Sequence, residues 1–175
     1  MKIKKVGVLG CGLMGSGIVE VAARAGYPTV VREVSEELLE KGIGRIRKSL
    51  DRAVDKGKME AAARDTALGA IHGTVKLDEL EECDLVVEAI VENLDEKKQT
   101  YQALAGVLQE SAIMASNTSS LTITELAMAS DRPDRFLGLH FFNPVPLMKL
   151  LEIVVGRDTR EDVVAAARAV GERMG

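Results

Sequence analysis

Cysteine is scarce in this sequence: only Cys11 and Cys83 occur among 175 residues, too few for a disulfide framework. Both lie in apolar stretches beside strand candidates, which reads as buried free thiols in a reducing compartment. Basic charge is also short. The 23 Lys and Arg are outnumbered by 27 Asp and Glu, for a formal net charge of −4. That balance argues against a nucleic-acid partner held by a general basic field. No apolar run approaches the ~20 residues of a membrane-spanning helix, and no internal repeat or low-complexity segment occurs. Met1 to Lys5, followed by apolar residues, has the opening of a signal peptide, but a glycine-rich run within that stretch gives it a different reading. The expectation is a cytoplasmic protein with neither membrane nor nucleic acid as partner.

What is present is the balance of a globular chain: 46% hydrophobic and 29% charged residues, at a length that suits one domain with a sizeable core. Short apolar runs alternate with longer amphipathic stretches, the pattern of an α/β fold with a mainly parallel sheet. Strands are expected at 6–9, 29–32, 73–75, 85–89, 112–115, 137–142 and 150–155. Helices are expected at 13–25, from about 35 to a break near Lys56-Gly57-Lys58, on to about 70, and from after 89 through 109. A last helix begins near Arg160 and reaches Gly175 with no terminating signal. That ending reads as an interrupted chain.

Between the first strand and helix stands Gly10-Cys11-Gly12-Leu13-Met14-Gly15, the GxGxxG pattern. In such a loop the first glycine makes the turn, the second admits a pyrophosphate, and the third lets helix and strand pack closely. Free N–H groups at the helix start then face the phosphates. The second strand runs into Glu33, at about the ~20-residue offset of a ribose-binding carboxylate. Such a group accepts bonds from both ribose hydroxyls and repels a 2′-phosphate, favouring NAD over NADP. Arg32 would attract that phosphate, but strand alternation sends it to the opposite face from Glu33. A solvated charge at a strand end is the competing reading of Glu33.

Histidine is as rare as cysteine. His72 falls in a helix-to-strand connection and reads as a surface residue, whereas His140 sits in the apolar run Phe136-Leu137-Gly138-Leu139-His140-Phe141-Phe142. A lone histidine there is more often part of a core. Glu152, however, interrupts the core-like Leu150-Leu151-Glu152-Ile153-Val154-Val155, and a buried carboxylate needs a partner. A carboxylate beside an imidazole fixes its tautomer and stabilises its cation, as general-base chemistry requires. A histidine's ordinary pKa of about 6.5 suits proton transfer in both directions near neutrality.

Four segments together carry a family resemblance: the glycine run, Val86-Val87-Glu88-Ala89-Ile90-Val91-Glu92-Asn93, Ser116-Asn117-Thr118-Ser119-Ser120-Leu121, and His140-Phe141-Phe142-Asn143-Pro144-Val145-Pro146. In content, order and spacing they resemble the 3-hydroxyacyl-CoA dehydrogenases, over essentially the whole chain. The resemblance implies a Rossmann-type, doubly wound, mainly parallel sheet with an inserted helical hairpin. It implies that residues 1–175 form one NAD-binding domain, 158–175 holding its last helix. It implies oxidation of a (3S)-3-hydroxyacyl-CoA to the 3-ketoacyl-CoA, and the reverse, as in fatty acid and butanoate metabolism.

By position, His140 matches the family's general base, Glu152 its orienting carboxylate, and Ser119 the serine on the reacting oxygen. Asn143, Glu92 and Lys97 match residues near the cofactor, joining Gly10, Cys11, Gly12, Leu13, Met14, Gly15 and Glu33. Ser49 and Lys56 match contacts to CoA, with Lys48, Arg52 and Lys58 as nearby alternatives for a phosphate. No metal is expected.

Each residue also has a plainer reading. Ser119 and Asn143 could serve a cap and a turn, and Lys97 could be a solvated helix charge. Family members continue into a helical C-terminal domain that closes on the acyl-CoA and forms a homodimer, and that part is not in the sequence. Two other functions stand beside the first: an isolated, non-catalytic NAD-binding module, and an enzyme of the wider β-hydroxyacid dehydrogenase group acting on a free acid. A lysine base would favour the last.

Overall fold

In the computed structural model, which describes residues 1–175, the chain runs β1 (Val6–Leu9), α1 (Leu13–Arg24), β2 (Thr29–Arg32), α2 (Glu36–Asp55), α3 (Ala61–Gly69), β3 (Ile71–Thr74), β4 (Leu85–Glu88), α4 (Leu94–Ala105), β5 (Ile113–Ser116), α5 (Ile123–Ala129), β6 (Phe136–Phe141), β7 (Leu151–Val155) and α6 (Glu161–Met174). One seven-stranded sheet results, in the order β3-β2-β1-β4-β5-β6-β7. Pairing is parallel from β3 through β6, and β7 joins antiparallel to β6.

The local chemistry explains the central elements. All four residues of β1, β4 and β5 are buried, as suits strands covered on both faces. Side chains alternate across the sheet. Val6, Val8, Leu85, Val87, Ile113 and Ala115 point toward α1, α2, α3 and α6. Leu9, Val86, Met114 and Phe136 face α4 and α5. Each fully buried Leu or Ile contributes about 1.5–3 kcal/mol. The starts of α2 and α4 are set by caps: the Ser35 hydroxyl accepts from Leu38 N–H at 3.3 Å ahead of α2, and the Asn93 side chain accepts from the Asp95 and Glu96 N–H groups ahead of α4.

The sheet is wound outward in both directions from β1. The chain first builds β2 and β3 on one side, then returns to place β4 on the other. Strand order reverses between β1 and β4, so the loops at their C-terminal ends splay apart and leave a crevice. The α2–α3 hairpin is inserted between β2 and β3 and packs on α1. The architecture is the Rossmann-type α/β fold with an inserted helical hairpin that the sequence led us to expect.

Several boundaries and environments differ from the sequence expectation, and the short helix α5 was not expected at all. β3 starts two residues earlier, at Ile71, because its register with β2 pairs Thr29 with Ile71. This puts His72 on a strand, exposed, with Nε2 2.5 Å from Glu79. α4 stops at Ala105 rather than near 109. β7 is an edge strand, so its apolar run is not core: Val154 and Val155 are exposed. No helix is long and apolar enough to cross a membrane.

Candidate functional site

The glycine loop leaves β1 at Gly10, whose φ of +88° lies in the left-handed region, where a side chain is disfavoured. Gly15 is demanded by packing, since a Cβ there would sit 1.9 Å from the Gly10 carbonyl oxygen. A Cβ at Gly12 would meet nothing within 4 Å, so that stretch of backbone is open to an approaching group. Gly12 is also the N-cap of α1 and supplies no capping side chain. The first amides of α1 therefore remain available to an anion.

Glu33 reaches this loop from the end of β2. Its Oε2 accepts from the Cys11 N–H at 2.8 Å and its Oε1 from the Val34 N–H at 2.7 Å. Arg32 turns the other way, its Nε 3.4 Å from the Val75 carbonyl, as alternation requires. The donors and the carboxylate fit a dinucleotide: open amides for a pyrophosphate, and an acceptor-only group beside them for a ribose without a 2′-phosphate. Cys11 itself is 1% exposed. Burial, and then the nearby Glu33 carboxylate, push its thiol up to about 11, which keeps it unreactive. Burial pushes the Cys83 thiol up to about 12. Both cysteines are free and buried.

Next to the loop, β6 and β7 bring His140 and Glu152 together as direct cross-strand partners. His140 Nδ1 lies 2.7 Å from Glu152 Oε2, and the Phe142 ring stands 4.4 Å from the imidazole, centroid to centroid. An ionised carboxylate can only accept, so Nδ1 carries the proton and Nε2 keeps its lone pair. The pairing follows the sequence argument, but its premise needs correction: the Glu152 side chain is 52% exposed. On an edge strand the carboxylate stays hydrated on its outer side, and desolvation does not force the pair.

His140 lines a cleft of about 370 Å³ together with Met14 of the glycine loop, Ser119, Asn143, Glu92 and Lys97. Residues expected at four separate places in the sequence thus share one surface. Ser119 and Asn143 are exposed. The turn carrying Ser119 is tied down by neighbours: Asn117 Oδ1 accepts from the Phe141 N–H at 2.9 Å, and Thr118 Oγ1 accepts from the Leu121 N–H at 3.0 Å. The peptide bond between Asn143 and Pro144 is cis.

Lys97 departs from its plainer reading. It is 1% exposed, with Nζ 2.6 Å from Glu88 and 3.3 Å from Glu92. Glu92 in turn accepts bonds from the Thr118 and Ser120 hydroxyls. Burial works to raise the Glu92 carboxyl, but the Thr118 hydroxyl and the Lys97 ammonium outweigh it, and the net direction is down.

Glu88, Tyr101, Ser116 and Thr118 were not singled out from the sequence, although the signal was present for one of them. Glu88 interrupts the apolar run of β4, and the buried-carboxylate argument applied to Glu152 bears on it more strongly. Arg45 was also missed: it donates to the Cys11 carbonyl at 3.0 Å and ties α2 to the glycine loop.

Ser49 and Lys56 are not brought to this cleft. The Ser49 hydroxyl faces Glu20 of α1 and acts to lower its carboxyl. Lys56 caps the C-terminal end of α2 and is exposed.

The family whose description is 3-hydroxyacyl-CoA dehydrogenase, NAD binding domain, matches residues 5–175. A probable 3-hydroxybutyryl-CoA dehydrogenase of Deinococcus radiodurans is 46% identical over 171 residues, covering 98% of this chain and 61% of that protein. The 3-hydroxybutyryl-CoA dehydrogenase of Bradyrhizobium diazoefficiens is 45% identical, covering 99% and 59%. Among solved structures, the (S)-3-hydroxybutyryl-CoA dehydrogenase of Ralstonia eutropha superimposes with a TM-score of 0.97 at 40% identity, covering 99% of this chain and 62% of the other. The chain therefore spans about three fifths of the length of these relatives.

Proposed function

This chain belongs to the 3-hydroxyacyl-CoA dehydrogenase family, and on that premise we propose that it forms the NAD-binding, base-bearing part of an enzyme interconverting a (3S)-3-hydroxyacyl-CoA and its 3-ketoacyl-CoA. The observation that carries the reading is the His140–Glu152 pair opening on the same cleft as the glycine loop. Names of the relatives point to a short acyl chain, 3-hydroxybutyryl.

When bound, NAD supplies a hydride acceptor at the nicotinamide. His140 Nε2 takes the proton of the substrate's 3-hydroxyl, and Glu152 holds Nδ1 as donor and stabilises the imidazolium that forms. Ser119 donates to the oxygen that becomes the ketone and fixes its direction. Asn143, on the far side of His140 along the chain, bounds the space between substrate and cofactor. Glu33 would take the adenosine ribose, and the open amides from Gly12 to Gly15 would take the pyrophosphate, those of Gly10 and Cys11 being bonded to the Arg32 carbonyl and to Glu33. Glu92 and Lys97 border the nicotinamide. Ser49 and Lys56, on the inserted hairpin, serve the CoA moiety. In this reading the protein works in the cytoplasm on an acyl-CoA, without nucleic acid, and residues 1–175 are one domain of a homodimeric enzyme.

The fraction of the relatives that is spanned favours a second reading, in which this part alone binds NAD and does not turn over. Loss of NADH absorbance on adding acetoacetyl-CoA tests both. Substrate-dependent loss in the chain, abolished by His140→Gln with NADH binding retained, is the expected result. Turnover that persists in His140→Gln removes the base assignment. NADH binding without turnover in the unaltered chain selects the second reading.

A further inference from the structure

Behind the cleft wall lies a buried polar group that the proposed chemistry does not use. Glu88 at the end of β4 is 1% exposed. Its register partner on β5 is Ser116, and the period-2 alternation turns both side chains toward α4. From α4, Lys97 and Tyr101 meet them, one helical turn apart and hence on one helix face. Glu88 Oε1 accepts from Lys97 Nζ at 2.6 Å and from the Ile90 N–H at 2.8 Å. Oε2 accepts from the Tyr101 hydroxyl at 2.7 Å and the Ser116 hydroxyl at 2.8 Å. The Tyr101 phenol is pushed up, by burial first and by the Glu88 charge second, so it remains a donor.

The charge balance of this cluster has a consequence at the cleft. Lys97 is the one cation in contact with both Glu88 and Glu92, and its shorter contact is to Glu88. One ammonium between two carboxylates leaves one net negative charge. Glu88 is enclosed and fully bonded, whereas the Glu92 side chain is 42% exposed and lines the cleft. The surplus charge therefore acts at Glu92.

We infer that Glu88 is a positioning residue that sets the redox preference of the site. By drawing Lys97 into the closer contact it leaves Glu92 only partly compensated, and the cleft then favours the cationic nicotinamide of oxidised NAD over the neutral ring of NADH. This rests on the reading that the cleft takes the nicotinamide. Were Glu88 neutral, Lys97 would pair with Glu92 alone and the preference for the cation would fall.

The test is a pair of dissociation constants for the whole chain, NADH by its fluorescence and oxidised NAD by competition against it. In Glu88→Gln the ratio Kd(NAD)/Kd(NADH) should rise about tenfold, the scale of one unit charge at short range in a partly screened site. Glu92→Gln, which removes the same unit of charge from the half-exposed side, should move the ratio in the same direction. Tyr101→Phe takes away one donor without changing charge and should hold the ratio within about twofold, since it leaves the field at the cleft unaltered.

A packing lesion weakens both forms alike and leaves the ratio still, so an unmoved ratio in a folded Glu88→Gln overturns the inference. An equal shift in Tyr101→Phe overturns it too. If circular dichroism shows Glu88→Gln unfolded, Glu92→Gln decides alone, and an unchanged ratio there refutes the claim. Failure of the unaltered chain to bind either form refutes the cofactor reading itself, and this inference with it.

Discussion

Gly42 is the position where the inserted hairpin touches the glycine loop, and replacing it by alanine should loosen both. Gly42 is buried in the middle of α2. A Cβ placed there would lie 2.2 Å from Cys11 Sγ, 2.5 Å from the Cys11 carbonyl oxygen and 2.6 Å from Cys11 Cβ. Two of those atoms cannot rotate away, so either α2 or the loop must move. A Cβ at Gly44, two residues along the same helix, would meet nothing within 4 Å. The two substitutions thus share their helix-propensity gain, about 0.8–1.0 kcal/mol, and differ in the clash, about 1–3 kcal/mol for an overpacked methyl.

Gly44→Ala should therefore be stabilised by somewhat under about 1 kcal/mol, and Gly42→Ala destabilised by up to about 2 kcal/mol. In a protein of this size that separates the two midpoints by roughly 2–4 °C per kcal/mol. Urea denaturation of the three proteins, unaltered and singly substituted, measures the difference. The functional arm is the Kd for NADH. The Cys11 peptide is held at its N–H by Glu33 and at its carbonyl by Arg45, so displacing it should weaken cofactor binding in Gly42→Ala and leave Gly44→Ala unchanged. Cys11→Ala should not rescue Gly42→Ala, because the carbonyl oxygen stays in the way. A Gly42→Ala protein as stable as Gly44→Ala, with equal NADH affinity, would refute the argument that the hairpin and the loop are in hard contact.

Two further outcomes concern stability. Arg132 is 4% exposed and donates to the carbonyls of Gln109, Ala112 and Leu108 at 2.6, 3.4 and 3.4 Å, closing the turn after α4; Arg132→Met should cost about 3 kcal/mol by stranding those acceptors and the Asp131 charge, and a loss under about 1 kcal/mol by urea denaturation would contradict it. Glu20 is 3% exposed and its carboxyl is raised, by burial first, against the pull of Ser49 and Arg24. A raised folded-state value means that its stabilising contribution is complete below the unfolded value of about 4.3 and is lost as pH rises through the folded one. Glu20→Gln should accordingly gain stability on the unaltered protein at neutral pH and lose that advantage as pH falls toward 4, and a difference constant with pH in paired denaturation curves would count against burial as the cause.

The sheet and the glycine loop were readable in the sequence because they depend on local patterns. Val6–Leu9 is apolar without interruption, as a doubly covered strand must be, and the GxGxxG run follows it directly. What the sequence left hidden depends on neighbours distant along the chain. Nothing in Leu151–Val155 says whether another strand lies outside it, so an edge strand with exposed valines looked like core. The same blind spot turned the buried-carboxylate argument toward Glu152, which is half exposed, and away from Glu88, which is enclosed. Correct pairing of His140 with Glu152 came from adjacency of two strands, not from burial. The Arg45 contact with Cys11 spans 34 residues and two elements, and no period in either segment announces it.

The two carboxylates also show why one polar system of this sheet is wet and the other dry. In the proposed reaction His140 must reach a substrate and Glu152 must stabilise the imidazolium that forms; the pair sits where strands β6 and β7 meet the surface. A carboxylate that draws Lys97 away from Glu92 does so most strongly where water does not screen the pair. Glu88 occupies such a place, and its burial is tolerable only because Lys97, Tyr101, Ser116 and the Ile90 amide together satisfy both oxygens. The strands supply this division directly. β4 and β5 lie in the middle of the sheet and end in Glu88 and Ser116 beneath α4, while β6 and β7 lie at its margin and end in the open. The order of strands in the sheet thus decides that Glu152 stays open to solvent and Glu88 is enclosed.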